Sequence, residues 1–113
     1  MTRNNPNIPQ IMNEAVELTL KTFGDLLKQV WLFGSYARGD ADEDSDIDFM
    51  VVLSEPVDTW KVADDVFADF SMDILDRYDE IPSVFITDVD RFGSQHNPLY
   101  KTVREEGVLY YGV

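Results

Sequence analysis

Between Trp31 and Leu53 the chain reads WLFGSYARGDADEDSDIDFMVVL, two apolar runs separated by a glycine-containing and strongly acidic stretch. No other segment restricts the fold as much. Val30-Trp31-Leu32-Phe33 is continuous, apolar and stopped by Gly34, which is the pattern of a short buried strand. Ile47 to Leu53 is the most strand-like run of the sequence, and Ser54-Glu55-Pro56 closes it. The small, acidic residues from Gly39 to Ser45 read as a loop between them.

The flanks supply helices to cover these strands. Residues 1–7 are polar and are expected to be frayed, with a helix starting near Pro9. From Gln10 to Gln29 the residues Ile11, Ala15, Leu18, Thr22 and Leu26 recur at helical spacing. Gly24 falls inside that pattern and is expected to weaken or bend the helix near its end. After Pro56, Trp60, Ala63, Phe67, Phe70, Ile74 and Tyr78 form a sustained helical stripe. A strand at Ser71–Leu75 is the alternative, but it would break that stripe. Pro82 stops anything helical, and a third strand follows at Val84–Phe85–Ile86. A helical turn around Asp88–Phe92, a helix over Pro98–Glu106 capped by Gly107, and a final strand Val108–Tyr111 complete the order. This alternation packs a sheet against helices, an α+β arrangement.

Composition narrows the function classes. At 113 residues the chain is the size of one domain, so residues 1–113 are expected to form a single unit. No stretch approaches the roughly 20 apolar residues of a membrane span, and the start lacks the apolar core of a signal peptide. Cysteine is absent, which removes disulfides and thiolate chemistry. A cytoplasmic location is the expectation. The net charge of −13 repels phosphate backbones, so direct binding to nucleic acid is disfavoured. A nucleotide remains possible if divalent metal neutralises its phosphates.

The candidate chemistry lies at the two ends of the acidic loop. Gly34 lets a phosphate approach the backbone, the helical turn begun by Tyr36-Ala37-Arg38 favours an anion, and the Ser35 hydroxyl can add a hydrogen bond. Asp46 and Asp48, two residues apart at the opening of a strand, project to the same side while Ile47 and Phe49 face the core. Two carboxylates so close repel unless a cation sits between them. Hard oxygen donors suit Mg2+, and two such ions about 3.5–4 Å apart stabilise both oxygens of a phosphoryl-type displacement. The Asp-x-Asp spacing alone says little, because Asp40/Asp42, Asp42/Asp44, Asp44/Asp46 and Asp88/Asp90 share it. Asp46/Asp48 differs in opening an apolar strand one short loop after the Gly-Ser turn.

GSYARG followed by SDIDFMVVL resembles the signature of the DNA polymerase beta-like nucleotidyltransferase superfamily, and most of all its minimal nucleotidyltransferases, the MNT proteins. The tail NPLYKTVREEGVLYY is similar to the closing helix and strand of such domains. The resemblance implies a nucleotidyltransferase fold, a small mixed β-sheet flanked by helices. It further implies a nucleoside triphosphate, ATP, held with two Mg2+, and transfer of a nucleotidyl group, usually AMP, to an acceptor. Gly34 and Ser35 would contact the phosphates, Asp46 and Asp48 would ligate the metals, and Arg38 matches a basic position after the turn. Arg38 would either offset triphosphate charge or bridge to the acidic loop.

The family pattern usually includes a third carboxylate on the next strand. The stretch Pro82-Ser83-Val84-Phe85-Ile86-Thr87 holds none, and Asp73 would serve only if Ser71–Leu75 were a strand. An acid at Val84, with Ser83 as the alternate, is expected to refill the place. His96, Lys101 and Arg104 read as solvated, and Trp31 and Trp60 as core. Three functions follow from the resemblance: an adenylyltransferase acting on a protein or nucleic-acid end, the antitoxin of a HEPN/MNT pair with a helical HEPN-type partner, or a nucleotide- or partner-binding module without turnover.

Overall fold

The computed structural model describes residues 5–42, 44–57 and 59–113, with the side chains of 59–65 outside the described residues. The expectations for the Trp60 and Ala63 side chains and for residues 1–4 therefore lie outside them as well. The elements are α1 (Ile8–Phe23), a 3-10 turn (Gly24–Leu26), β1 (Leu27–Phe33), α2 (Ser35–Arg38), β2 (Ile47–Leu53), α3 (Thr59–Tyr78), β3 (Pro82–Asp88), α4 (Val89–Phe92), α5 (Pro98–Glu106) and β4 (Val108–Tyr111).

The four strands form one mixed sheet in the order β3-β2-β1-β4. β1 runs antiparallel to both β2 and β4, whereas β2 and β3 are parallel. The parallel pair needs a crossover, and the long helix α3 provides it. Alternation along β2 then divides the molecule. Ile47, Phe49, Val51 and Leu53 join Val30 and Leu32 of β1 in a core with Ile11, Met12 and Ala15 of α1 and Phe67 and Ile74 of α3. Met50 and Val52 face the other way with Phe33, Phe92 of α4 and Val103 of α5. Each such buried side chain contributes about 1.5–3 kcal/mol relative to exposure. Both faces of β2 are covered beyond Asp48, which explains the continuous apolar run Phe49–Leu53. None of the described helices is long and apolar enough to cross a membrane.

Three departures from the sequence-based reading have local causes. Helix α1 ends at Phe23 and does not run on towards Gln29, because Gly24 takes φ 56° and its amide returns to the Leu20 carbonyl. β1 starts at Leu27, three residues before the apolar run, with a bulge between Leu27 and Gln29. Asn5, expected to be frayed, donates a side-chain hydrogen bond to Glu80 Oε1 at 2.9 Å and its own Oδ1 accepts from the Asn7 amide. Ser71–Leu75 is helical, as the stripe required, and Asp73 pairs with Arg77 one turn on, at 2.7 Å. Asp73 is thus not the third carboxylate of the site.

Candidate active site

β1 delivers the first half of the site. Its last residue, Phe33, is followed by Gly34 at φ 76° and ψ −155°, a conformation essentially confined to glycine. The chain then turns directly into α2, where the Ala37 and Arg38 amides both return to the Gly34 carbonyl at 3.1 Å. β2 delivers the second half. Asp48 lies opposite Phe33 on one side and Ser83 of β3 on the other, so it sits at the mouth of three adjacent strands. The two halves touch. A Cβ on Gly34 would lie 2.5 Å from Asp48 Oδ2, so any side chain there would have to push the carboxylate aside.

Asp46 precedes β2 and is exposed, and its Oδ2 accepts a hydrogen bond from the Ser83 hydroxyl at 3.3 Å. Asp48 is half-buried. Burial raises its carboxyl above the usual carboxylate range, the charge of Asp46 raises it further, and Arg38 partly opposes both. The pair thus carries an unfavourable concentration of negative charge. Hard carboxylate oxygens beside a glycine turn are a donor set that fits a divalent cation carrying phosphate.

Of its two expected roles, Arg38 shows the bridge to the acidic loop. It is in ion-pair contact with Asp40 of the acidic loop at 3.2 Å and with Glu106 of α5 at 3.8 Å. It also lies near enough to act on Asp48. Exposed pairs of this kind are worth only about 0–1 kcal/mol, so Arg38 can exchange them for a phosphate at little cost.

On the strand expected to supply a third carboxylate, serine faces the pair. Opposed residues on parallel strands share a face, and the register pairs Asp48 with Ser83 and Phe49 with Val84. Ser83 therefore faces the aspartates while Val84 packs against the core. The preference for Val84 as the facing position is corrected to Ser83. The cause is a register that no local pattern encodes. Among the described residues no group of three or more His, Cys, Asp or Glu is arranged to hold a metal.

One functional contact was absent from the sequence reading. Glu80, just before β3, is 2% exposed, and its two carboxylate oxygens accept from the Tyr36 hydroxyl at 2.9 and 2.8 Å. This clamp fixes the start of α2, and so the Gly-Ser turn, to the strand that carries Ser83. The two oxygens share the single Tyr36 proton, and such a hydrogen bond to a charged group contributes about 1.5–3 kcal/mol. The tyrosine of GSYARG was the only available signal, and its partner lies 44 residues away. The remaining candidates are structural. Trp31 packs on Phe92 at 5.9 Å between ring centres, and His96 is exposed. Arg104 is not solvated as expected: its guanidinium bonds the Phe92 and Ser94 carbonyls and lies over the Phe92 ring, tying α5 to α4.

Strand-turn-helix followed by a carboxylate-bearing strand on a mixed sheet is the arrangement of the nucleotidyltransferase fold. The chain belongs to the nucleotidyltransferase domain family, whose model matches residues 14–85. It is 29% identical over 106 residues to a Methanocaldococcus jannaschii protein provisionally named a protein adenylyltransferase, a match covering 93% of this chain and 99% of that one. A second protein from that organism, with the same provisional name, is 34% identical over 84 residues, 74% of this chain and 76% of the relative. Among solved structures, a chain of a toxin–antitoxin structure with AMP-PNP superposes with a TM-score of 0.62 at 21% identity, covering 89% of this chain and 73% of that chain. A chain from the complex of a tri-AMPylated Shewanella oneidensis HEPN toxin with its MNT antitoxin gives 0.58 at 20% identity, covering 94% and 74%. At these identities the structural likeness carries the fold.

Proposed function

We propose that this chain, acting as one nucleotidyltransferase domain, binds a Mg2+–ATP complex and transfers AMP from it to a hydroxyl of a protein acceptor. The observation that carries the proposal is the closeness of the Gly34 turn to Asp48, whose carboxylate a Cβ on Gly34 would displace, so that the turn and the carboxylate pair form one surface. In this reading Gly34 and Ser35 receive the phosphates, Arg38 adds positive charge, and Asp46 and Asp48 hold up to two divalent ions. Bound metal would neutralise the triphosphate and polarise its α-phosphate. The acceptor oxygen forms a new bond to the α-phosphorus, the bond to the β-phosphate oxygen breaks, and pyrophosphate leaves. The acceptor proton passes to solvent or to a carboxylate, since Ser83 is no base at neutral pH.

The names of the relatives support a protein as acceptor, and the structural neighbours support a role as the antitoxin beside a HEPN-type helical partner. The occupant of the Ser83 position favours a second reading, in which the isolated chain binds nucleotide and partner with little turnover. ATP labelled in its α-phosphate, incubated with the chain, Mg2+ and an extract of the source organism, is expected to label a protein band. The label should vanish with Asp46→Asn or Asp48→Asn and should not appear from γ-labelled ATP. Transfer of the γ label in place of the α label would overturn the assignment.

A further inference from the structure

The carboxylate pair has two neighbours. On the side of Asp48 lies the Gly34 turn. On the side of Asp46 a recess of ≈ 240 Å³ is lined by Asp44, Ser45, Asp46, Leu75, Asp79, Glu80 and Ile81. Leu75 and Asp79 also line a second groove of ≈ 610 Å³ along α3, with Met72, Asp73 and Asp76. The two hollows adjoin at Leu75 and Asp79, and together they mark a track from a proposed metal ligand along the exposed face of α3.

The chemistry of this track is distinctive. Met72 is 71% exposed, Leu75 46% and Ile81 51%, three large apolar side chains on a surface where their burial would be favourable. Around them stand carboxylates. Asp73 is neutralised by Arg77, but Asp44, Asp76 and Asp79 form no ion pair among the described residues. Asp79 also ends α3 at φ 57°, a left-handed conformation that turns the chain towards Ile81. An apolar strip between carboxylates complements a segment in which lysine or arginine alternates with apolar residues. It repels a nucleic-acid backbone. The flexible Met72 suits a contact that must adapt to its partner.

We propose that this track docks a basic, apolar-interrupted segment of the acceptor protein, so that the acceptor reaches the carboxylate pair from the Asp46 side while the nucleotide occupies the Gly34 side. The inference rests on the AMP-transfer reading, and it adds the surface and the chemistry by which the acceptor is chosen. All three apolar positions are exposed, so their replacement leaves the core intact.

Two short fluorescein-labelled peptides test it by anisotropy at low salt, one alternating lysine with leucine and the other lysine with serine. The whole chain is expected to bind the lysine–leucine peptide more tightly. Asp76→Asn/Asp79→Asn should weaken that binding about tenfold, with asparagine tolerating the left-handed position. Met72→Ser/Leu75→Ser should weaken the lysine–leucine peptide alone. Glu17→Gln/Asp25→Asn, which removes equal charge elsewhere, should leave both peptides bound as before. Equal losses in that control would mean that net charge alone attracts the peptide, and equal binding of the two peptides would mean that the apolar strip does nothing. Either result overturns the proposal. Mg2+–ATP binding, followed in the same proteins by thermal shift, should be unchanged in every variant. Its absence from the unaltered chain would strike the nucleotide reading and leave the peptide result standing.

Discussion

Ser83→Asp is expected to raise pyrophosphate release from Mg2+–ATP by the isolated chain about 10²-fold or more, the scale on which a positioned acid–base group acts. The register places Ser83 directly opposite Asp48, and its hydroxyl is already within 3.3 Å of an Asp46 oxygen. A carboxylate there would join the pair from the same face and could accept the proton of the attacking hydroxyl or water. The gain should carry a cost in the metal-free protein, because a third negative charge enters a site that already holds Asp48 above its usual range. The melting temperature of apo Ser83→Asp should fall, and Mg2+ should restore it. Val84→Asp is the informative partner variant. Val84 is half-buried against the main core opposite Phe49, so a charge there loses solvation and should destabilise the chain rather than activate it. If Ser83→Asp binds Mg2+–ATP normally and shows no gain, the serine is not what limits turnover.

Gly34→Ala should be the most damaging single-methyl change in the site. Its backbone conformation costs a non-glycine residue about 1–3 kcal/mol, and the added Cβ would lie 2.5 Å from Asp48 Oδ2. Relief requires either the turn or the carboxylate to move, and each would spoil the geometry on which the metal–phosphate complex depends. A loss of about 10–100-fold in Mg2+–ATP affinity is expected, corresponding to roughly 1.4–2.8 kcal/mol. Gly39→Ala separates strain from site disruption. Gly39 also has a positive φ, of 85°, yet nothing lies within 4 Å of a Cβ built on it. That variant should lose stability and keep its nucleotide. Equal affinity losses in the two would show that turn strain, and not contact with Asp48, governs binding.

What the sequence disclosed and what it concealed divides by range of interaction. β2, α3 and α5 were legible because burial writes its period locally: the apolar run Phe49–Leu53 that follows Asp48, the stripe from Phe67 to Tyr78, and Pro98 opening a helix that Gly107 closes. The mixed sheet was expected only from the family resemblance, and the strand pairing bears it out. The start of β1 was missed because Lys28 and Gln29 are polar and a bulge interrupts the alternation. Within the site, the turn at Gly34 and the shared face of Asp46 and Asp48 could be read from neighbours in the chain. The choice between Ser83 and Val84 could not, since it depends on how β3 slides against β2. The Glu80–Tyr36 clamp was equally hidden: a glutamate in a polar turn gives no sign of burial until a tyrosine distant in sequence arrives.

Asp48 as a metal ligand beside a phosphate turn is tested most directly by thermal denaturation with ATP in Mg2+ and in chelator. Folded Asp48 keeps its proton to higher pH than it does in the unfolded chain. Its contribution favours the fold below the unfolded pKa and is lost as pH rises through the raised folded value. At neutral pH the carboxylate is therefore a liability to the apo fold, and Asp48→Asn should melt no lower than the unaltered protein. The unaltered chain should gain stability from ATP only with Mg2+, by about 2.7 kcal/mol at a hundredfold excess over Kd. Asp48→Asn should lose that gain. Equal stabilisation by ATP in chelator, or an undiminished Mg2+-dependent shift in Asp48→Asn, would contradict the account.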